Sequence, residues 1–207
     1  MTKESLLADL ERDGYLKTPA LIEAFRAVDR AHFVPPERAG EAYGNYPLPI
    51  GHGQTISQPL TVAFMLELLD ARPGERVLDI GAGAGWQTAL LSFLVGEQGR
   101  VVAVERVPEL AALAERNIAG AGLPTPQNVR IVLGDGSRGC AEEAPFDRIV
   151  AAAAGDTIPA AWKEQVKIGG RIVAPVRESI YVLDKTSHDT FEKRQYFGFS
   201  FVPLVLG

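Results

Sequence analysis

Three stretches of this chain combine residue types that can grip a small polar ligand. Gly81-Ala82-Gly83-Ala84-Gly85 follows the apolar run RVLDI and leads into a helical stretch. In that arrangement glycines allow a tight turn and let the backbone approach a ligand closely. About 20 residues further on, Glu105 ends the run VVAVE, where a carboxylate can accept both hydroxyls of an adenosine ribose. Asp135-Gly136 closes a third run, VRIVLGDG. Asp135 there is placed to accept a hydrogen bond from an adenine amino group, although Asp-Gly is also a turn dipeptide in its own right. The glycines read G-x-G-x-G, not the G-x-G-x-x-G that seats a pyrophosphate on a helix N-terminus. Asp79, two residues before Gly81, sets an acidic side chain beside the turn. A carboxylate suits the sulfonium and ammonium groups of S-adenosylmethionine and repels a pyrophosphate. The expected cofactor is S-adenosylmethionine, and a nicotinamide dinucleotide is disfavoured.

Other chemistries leave no trace. The only cysteine is Cys140, so no intramolecular disulfide can form, which fits a reducing, cytoplasmic setting. No nucleophile–base set and no metal-ligand spacing stands out, and no metal is expected. Of the three histidines, His52 reads as a loop residue, His32 as packing near the first helices and His188 as part of a hairpin turn. Trp86, directly after Gly85, reads as a wall of the cofactor site. Ser57 precedes Gln58, Pro59 and an apolar helical stripe, which makes it a good N-cap as well as a candidate for chemistry.

The elements that must position these residues follow from periodicity. Leu6, Leu7 and Leu10, then Leu21, Phe25 and Val28, carry helical spacing. Thr18 and Pro19 fit the N-cap and first position of the second helix. From His32 to Gln58 the chain is rich in Pro and Gly and is expected to be irregular but ordered. Val62, Leu66 and Leu69 form a helical stripe that stops before Arg72-Pro73-Gly74. Beyond it, short apolar runs alternate with helical stretches: RVLDI, WQTALLSFLV, RVVAVE, PELAALAERNIAGAG, VRIVLGD. That alternation predicts a parallel sheet covered on both faces. FDRIVAAAA gives a fourth strand, IPAAWKEQV a helix and RIVAPV a fifth strand. IYVLD and QYFGFSFVPLV, separated by KTSHDT, give a closing antiparallel hairpin.

The chain has 207 residues, 46% of them hydrophobic, with a formal net charge of -5. That is the size of one compact domain with a sizeable core. The acidic balance offers no footprint for nucleic acid or anionic membrane. The start has no basic and apolar leader, and no run approaches the length of a membrane span. A monomer is expected.

Two segments go beyond a generic methyltransferase core: PLPIGHGQTISQP (47–59) and GDGSRGCAEEAPFD (134–147). With VLDIGAGAGWQTALL and VERVPELAALAERN they resemble the protein-L-isoaspartate (D-aspartate) O-methyltransferase family over nearly the whole chain. The resemblance implies a Rossmann-like α/β fold with a mostly parallel sheet, a C-terminal antiparallel hairpin and an N-terminal helical extension. It implies one domain over 1–207, with 1–60 as helices and covering segment and 61–207 as α/β core. Ser57 is then the active-site serine, with Gln54 beside it on the acceptor side. Thr55 and Ile56 flank the methionine end of the cofactor, while Asp79, Gly81, Gly83, Gly85, Glu105, Asp135 and Gly136 hold the rest. The implied reaction moves a methyl group from S-adenosylmethionine to the free carboxylate of L-isoaspartyl residues, with D-aspartyl residues left open. S-adenosylhomocysteine is the product, and the ester closes to a succinimide without the enzyme. The chain departs from the family pattern at Ala151 to Asp156 and at Arg177, where Gly is usual. These departures are expected on the substrate side. They keep two other readings open: a carboxyl methyltransferase with a dedicated acceptor, and a non-catalytic isoaspartyl-binding adaptor.

Overall fold

The computed structural model describes residues 1–205. In chain order the helices are α1 (Lys3–Arg12), α2 (Pro19–Ala27), α3 (Pro59–Leu69), α4 (Trp86–Val95), α5 (Pro108–Gly120) and α6 (Ala160–Gln165). The strands are β1 (Leu48–Gly51), β2 (Gln54–Ile56), β3 (Arg76–Ile80), β4 (Arg100–Glu105), β5 (Val129–Leu133), β6 (Phe146–Ala151), β7 (Val166–Val176), β8 (Ser179–Lys185) and β9 (Phe191–Phe197).

Seven strands form the main sheet in the order β5-β4-β3-β6-β7-β8-β9. β5 to β7 across that order are parallel, and β8 runs antiparallel to both its neighbours. The chain moves outward from β3 to β5, then crosses back to β6 on the other side of β3. Such a reversal opens a crevice at the carboxyl ends of the central strands, where open α/β sheets bind ligands. Gly81, Glu105, Asp135 and Ala152 all follow or end strands at that edge.

The central strands are buried on both faces and are built from β-branched and apolar residues. Val77, Val101, Val150 and Val173 pack with α1 to α4 and with Leu110 and Ile118 of α5 in one cluster. Leu78, Ile80, Val102, Ile149 and Ile172 pack on the other face with Trp162 of α6, Phe146 and Val166. Both faces are covered, but unequally. The connection from β5 to β6 contributes only two short 3-10 turns, Gly136–Arg138 and Ala141–Glu143.

Four local expectations change. The Pro/Gly-rich segment 32–58 is not wholly irregular: β1 and β2 pair as an antiparallel hairpin turned by His52 and Gly53, both at positive φ. Thr18 sits at the N-cap of α2, yet its hydroxyl makes no capping bond and donates to Glu67 Oε2 at 2.7 Å. Glu67 also accepts the amides of Lys17 and Thr18, and this outcompetes a local cap. His32, expected to pack near the first helices, has its ring nitrogen on Asn117 O of α5, at 2.9 Å. The last strand is the polar stretch FEKRQYF, which takes in only the first three residues of the expected run QYFGFSFVPLV. Gly198 at φ +93 ends β9, and the chain then returns across the carboxyl edge. There Phe199 stacks on Phe64 at 5.2 Å, and Val202 O accepts Ala154 N at 2.8 Å. The apolar residues of the tail find their burial over the sheet end instead of at its edge.

Candidate active site

A cavity lies over the crevice, lined by Gln54 and Thr55 from the hairpin, Gly81 and Gly83 from the turn, Glu105 and Gly136. Ile80, Val104, Val107 and the tail residues Val202 to Val205 supply its apolar walls. Gly81 and Gly83 have φ of +87° and +55°, a region closed to most side chains. Ile50 of β1 comes so close that a Cβ on Gly83 would lie 3.3 Å from its Cδ1, so the hairpin rests directly on the glycine turn. Glu105 is 6% exposed. Its Oε2 accepts Gly83 N at 2.9 Å and its Oε1 accepts Val107 N at 3.0 Å. Each oxygen keeps a further lone pair for a ligand hydroxyl. An apolar slot with one carboxylate in its wall and an open backbone turn at its base fits an adenosine.

Several expected contacts lie elsewhere. Asp79 is completely buried and does not line the cavity. Its two oxygens accept from Gln87 Nε2 and Thr88 Oγ1, both at 2.7 Å, which ties β3 to the first turn of α4. Burial raises its pKa to about 6 against the lowering effect of those two bonds. Gly85 is a packing residue: a Cβ there would lie 3.2 Å from the backbone of Ala114 in α5. Ile56 is buried in the core beneath the hairpin. Asp135 is not part of the wall, although its neighbour Gly136 is. Its Oδ1 accepts Ser137 N and Oγ within its own turn. Trp86 is not a wall either, since it packs edge-on against Phe25 in the core. It is Trp162 that touches the site's frame, by donating from Nε1 to Gly136 O at 2.8 Å.

A second cleft adjoins the first. Ser57 lines it with Pro47, Gln58, Thr61, Ser200 and Phe201. Thr55, Ala152 and Val202 line both, so the two spaces meet at a shared wall. The Ser57 hydroxyl makes no hydrogen bond to another of the described residues. It is not the N-cap of α3 either: Gln58 holds that position, and the Leu60 amide is taken by Asn45 Oδ1 at 3.0 Å. Gln54 lies on the wall of the first cavity, away from Ser57's cleft. The departures from the family pattern divide as well. Ala152 and Ala153 line the first cavity, while Ala154, Gly155, Asp156 and Arg177 line a third cleft that shares Ser200 and Phe201 with Ser57's.

Sequence reasoning missed two features. The tail 200–205 walls the clefts, and Arg106 Nη1 fastens it by donating to Val205 O at 2.9 Å. Arg30, 3% exposed, holds the covering segment through backbone carbonyls. A lone arginine between two helical stretches carries no sequence signal for such a role.

The reversed parallel sheet, the glycine turn and the carboxylate at the end of the next strand define a Rossmann-like α/β methyltransferase. A solved Plasmodium falciparum structure shares the fold over 99% of both chains, with a TM-score of 0.87 and 25% identity. That protein is described as a putative protein-L-isoaspartate O-methyltransferase beta-aspartate methyltransferase, in complex with S-adenosyl-L-homocysteine. The model of the family Protein-L-isoaspartate(D-aspartate) O-methyltransferase (PCMT) matches residues 1–207, and the chain belongs to that family. Among relatives named protein-L-isoaspartate O-methyltransferase, the Methanopyrus kandleri protein is 42% identical over 98% of this chain and 91% of its own. The Aeropyrum pernix protein is 45% identical over 97% of this chain and 78% of its own.

Proposed function

We propose that the chain transfers a methyl group from S-adenosylmethionine to the free carboxylate of L-isoaspartyl residues in proteins and peptides, the first step of their repair. The observation that carries this reading is the shared wall of Thr55, Ala152 and Val202 between the cavity of Glu105 and the glycine turn and the cleft of Ser57. S-adenosylmethionine supplies a methyl group on a sulfonium, an electrophile that needs no further activation. Glu105 takes the ribose hydroxyls, Gly81 and Gly83 give the backbone room, and the tail from Val202 to Val205 closes the apolar side. Gln54 and Thr55 cover this cavity from the hairpin.

The acceptor carboxylate has a reference pKa near 4, so it is ionised at neutral pH without a base. Ser57 donates a hydrogen bond to one of its oxygens and fixes the direction of the other. A single neutral hydroxyl orients the carboxylate without stabilising its ground state as strongly as a lysine would. The Thr55, Ala152 and Val202 wall strips water from the contact zone, and orientation with partial dehydration removes much of the barrier. The net charge of -5 argues against a nucleic-acid partner. No helix among the described residues is long and apolar enough to cross a membrane. The lone Cys140 supports a cytoplasmic setting.

The test is transfer of labelled methyl from S-adenosylmethionine to an isoaspartyl peptide. The label should enter as a base-labile ester, and transfer should persist after the protein is dialysed against a chelator, since neither partner in the reaction needs a metal. The rate should fall below about pH 5 as the acceptor protonates. Label that resists base, or transfer that is lost after the chelator, would contradict the reading.

A further inference from the structure

We propose that Arg30 is a positioning residue for methyl transfer, a buried guanidinium that fastens the Ser57 peptide to the helix beginning behind the glycine turn. The inference rests on the function proposed above for Ser57's cleft. Arg30 opens the 3-10 turn Arg30–Phe33, where Asp29 caps by accepting Ala31 N. Its Nη1 donates to Ala42 O at 2.6 Å, and its Nη2 donates to Tyr46 O at 3.2 Å and to Ser57 O at 3.1 Å. Its guanidinium carbon lies 5.4 Å from the ring centroid of Trp86, the first residue of α4. One planar group therefore touches the approach to the hairpin, the Ser57 peptide and the helix that follows Gly85.

The cost of this arrangement argues for a role beyond stability. Among the described residues no carboxylate lies within ion-pairing distance of Arg30. Arg30 Nε and Trp86 Nε1 are buried without an acceptor. Desolvation lowers the Arg30 pKa to about 10, which leaves it charged at neutral pH. A buried cation without a counter-ion is expensive, and apolar groups of similar volume often do as well or better for stability. What they lack is the rigid fork that reaches several carbonyls at once, which lysine also lacks. Within 42–58 only the short β1–β2 hairpin is regular, and these bonds set the path of the chain on either side of it.

The experiment compares the full chain with Arg30→Lys, which keeps charge and loses the fork, and with Arg30→Met. Three readouts are taken: affinity for S-adenosylhomocysteine, kcat and KM for an isoaspartyl peptide, and amide hydrogen exchange. Arg30→Lys is expected to bind S-adenosylhomocysteine within about threefold of wild type and to keep KM within about threefold. Its kcat should fall at least about tenfold, the scale of a small misplacement of reacting groups. Exchange should quicken about tenfold or more in 42–58 and stay unchanged in 76–105. Should Arg30→Met fail to fold, Arg30→Lys still carries the comparison. Wild-type kcat in Arg30→Lys, or loss of S-adenosylhomocysteine binding in step with activity, would overturn the proposal, as would unchanged exchange in 42–58. Wild-type chain inactive on isoaspartyl peptides would instead sink the functional reading, while the exchange data would still decide what Arg30 fastens.

Discussion

Ser57 and Asp79 show how differently two polar residues beside one ligand site can be used. Ser57 keeps an uncommitted hydroxyl in the cleft proposed for the acceptor, so its removal costs no folded-state bond and its effect should fall on turnover. A hydrogen bond to a charged group is worth roughly 1.5 to 3 kcal/mol. Ser57→Ala should therefore lower kcat/KM for an isoaspartyl peptide by about 10- to 100-fold, with unchanged S-adenosylhomocysteine affinity. Loss of cofactor binding in that variant would place Ser57 elsewhere in the mechanism. Asp79 is the opposite case, fully committed to Gln87 and Thr88. Its pKa is raised from 3.8 to about 6 on folding. In that window the folded chain binds more protons than the unfolded one, so this group's contribution to stability declines as pH rises and is level above it. Asp79→Asn cannot ionise and should lack that decline. The difference in unfolding free energy between wild type and variant should change by about 3 kcal/mol between about pH 3.5 and about pH 7. Urea denaturation at the two pH values measures it, and a constant difference would refute the raised pKa.

At the scale of elements, the same glycine turn serves two ends that sequence alone does not separate. Gly81 and Gly83 face the cavity, whereas Gly85, at φ +93, lets α5 approach α4. Gly85→Ala should lower stability by about 2 kcal/mol through strain and overpacking. Thermal unfolding reads this directly, and an unshifted midpoint would contradict it. Arg177 presents the converse: a non-glycine residue at φ +54 in the two-residue turn between β7 and β8. Its contact with Asp156 is an exposed pair at 3.5 Å, worth little. Arg177→Gly should therefore raise stability by about 1 kcal/mol, the usual left-handed penalty. No gain in the midpoint of denaturation would show that the pair or the cleft compensates. Periodicity revealed α1 to α5 and the parallel strands because their apolar residues repeat at helical or strand spacing. It did not reveal the β1–β2 hairpin, whose prolines and glycines imitate a loop, or the end of β9, whose polar residues sit at an exposed edge. Asp79 and Gly85 lie at the right places in the motif, but sequence cannot tell a residue facing a ligand from one facing the next helix.

For the molecule as a whole, the central feature is that the two spaces proposed for donor and acceptor are assembled from distant parts of the chain. The hairpin at 48–56, the end of β6 and the tail at 200–205 converge on one wall. Only the first of these was marked by a sequence motif, since the tail's apolar run reads equally as an edge strand. Ala152 is the smallest member of the wall. Ala152→Leu should fill the junction and cut turnover by more than about tenfold, with a fold unchanged by circular dichroism, because misplacement of about 1 Å is costly. The most direct measurement mixes two peptides of one sequence, one with an isoaspartyl and one with a normal aspartyl linkage, with S-adenosylmethionine and the wild-type chain. Mass spectrometry then reads which peptide gains a methyl group, with Ser57→Ala run alongside. The isoaspartyl peptide alone should gain it, and far more slowly with the variant. Methylation of both peptides alike, or of the isoaspartyl peptide at an undiminished rate in Ser57→Ala, would contradict the account.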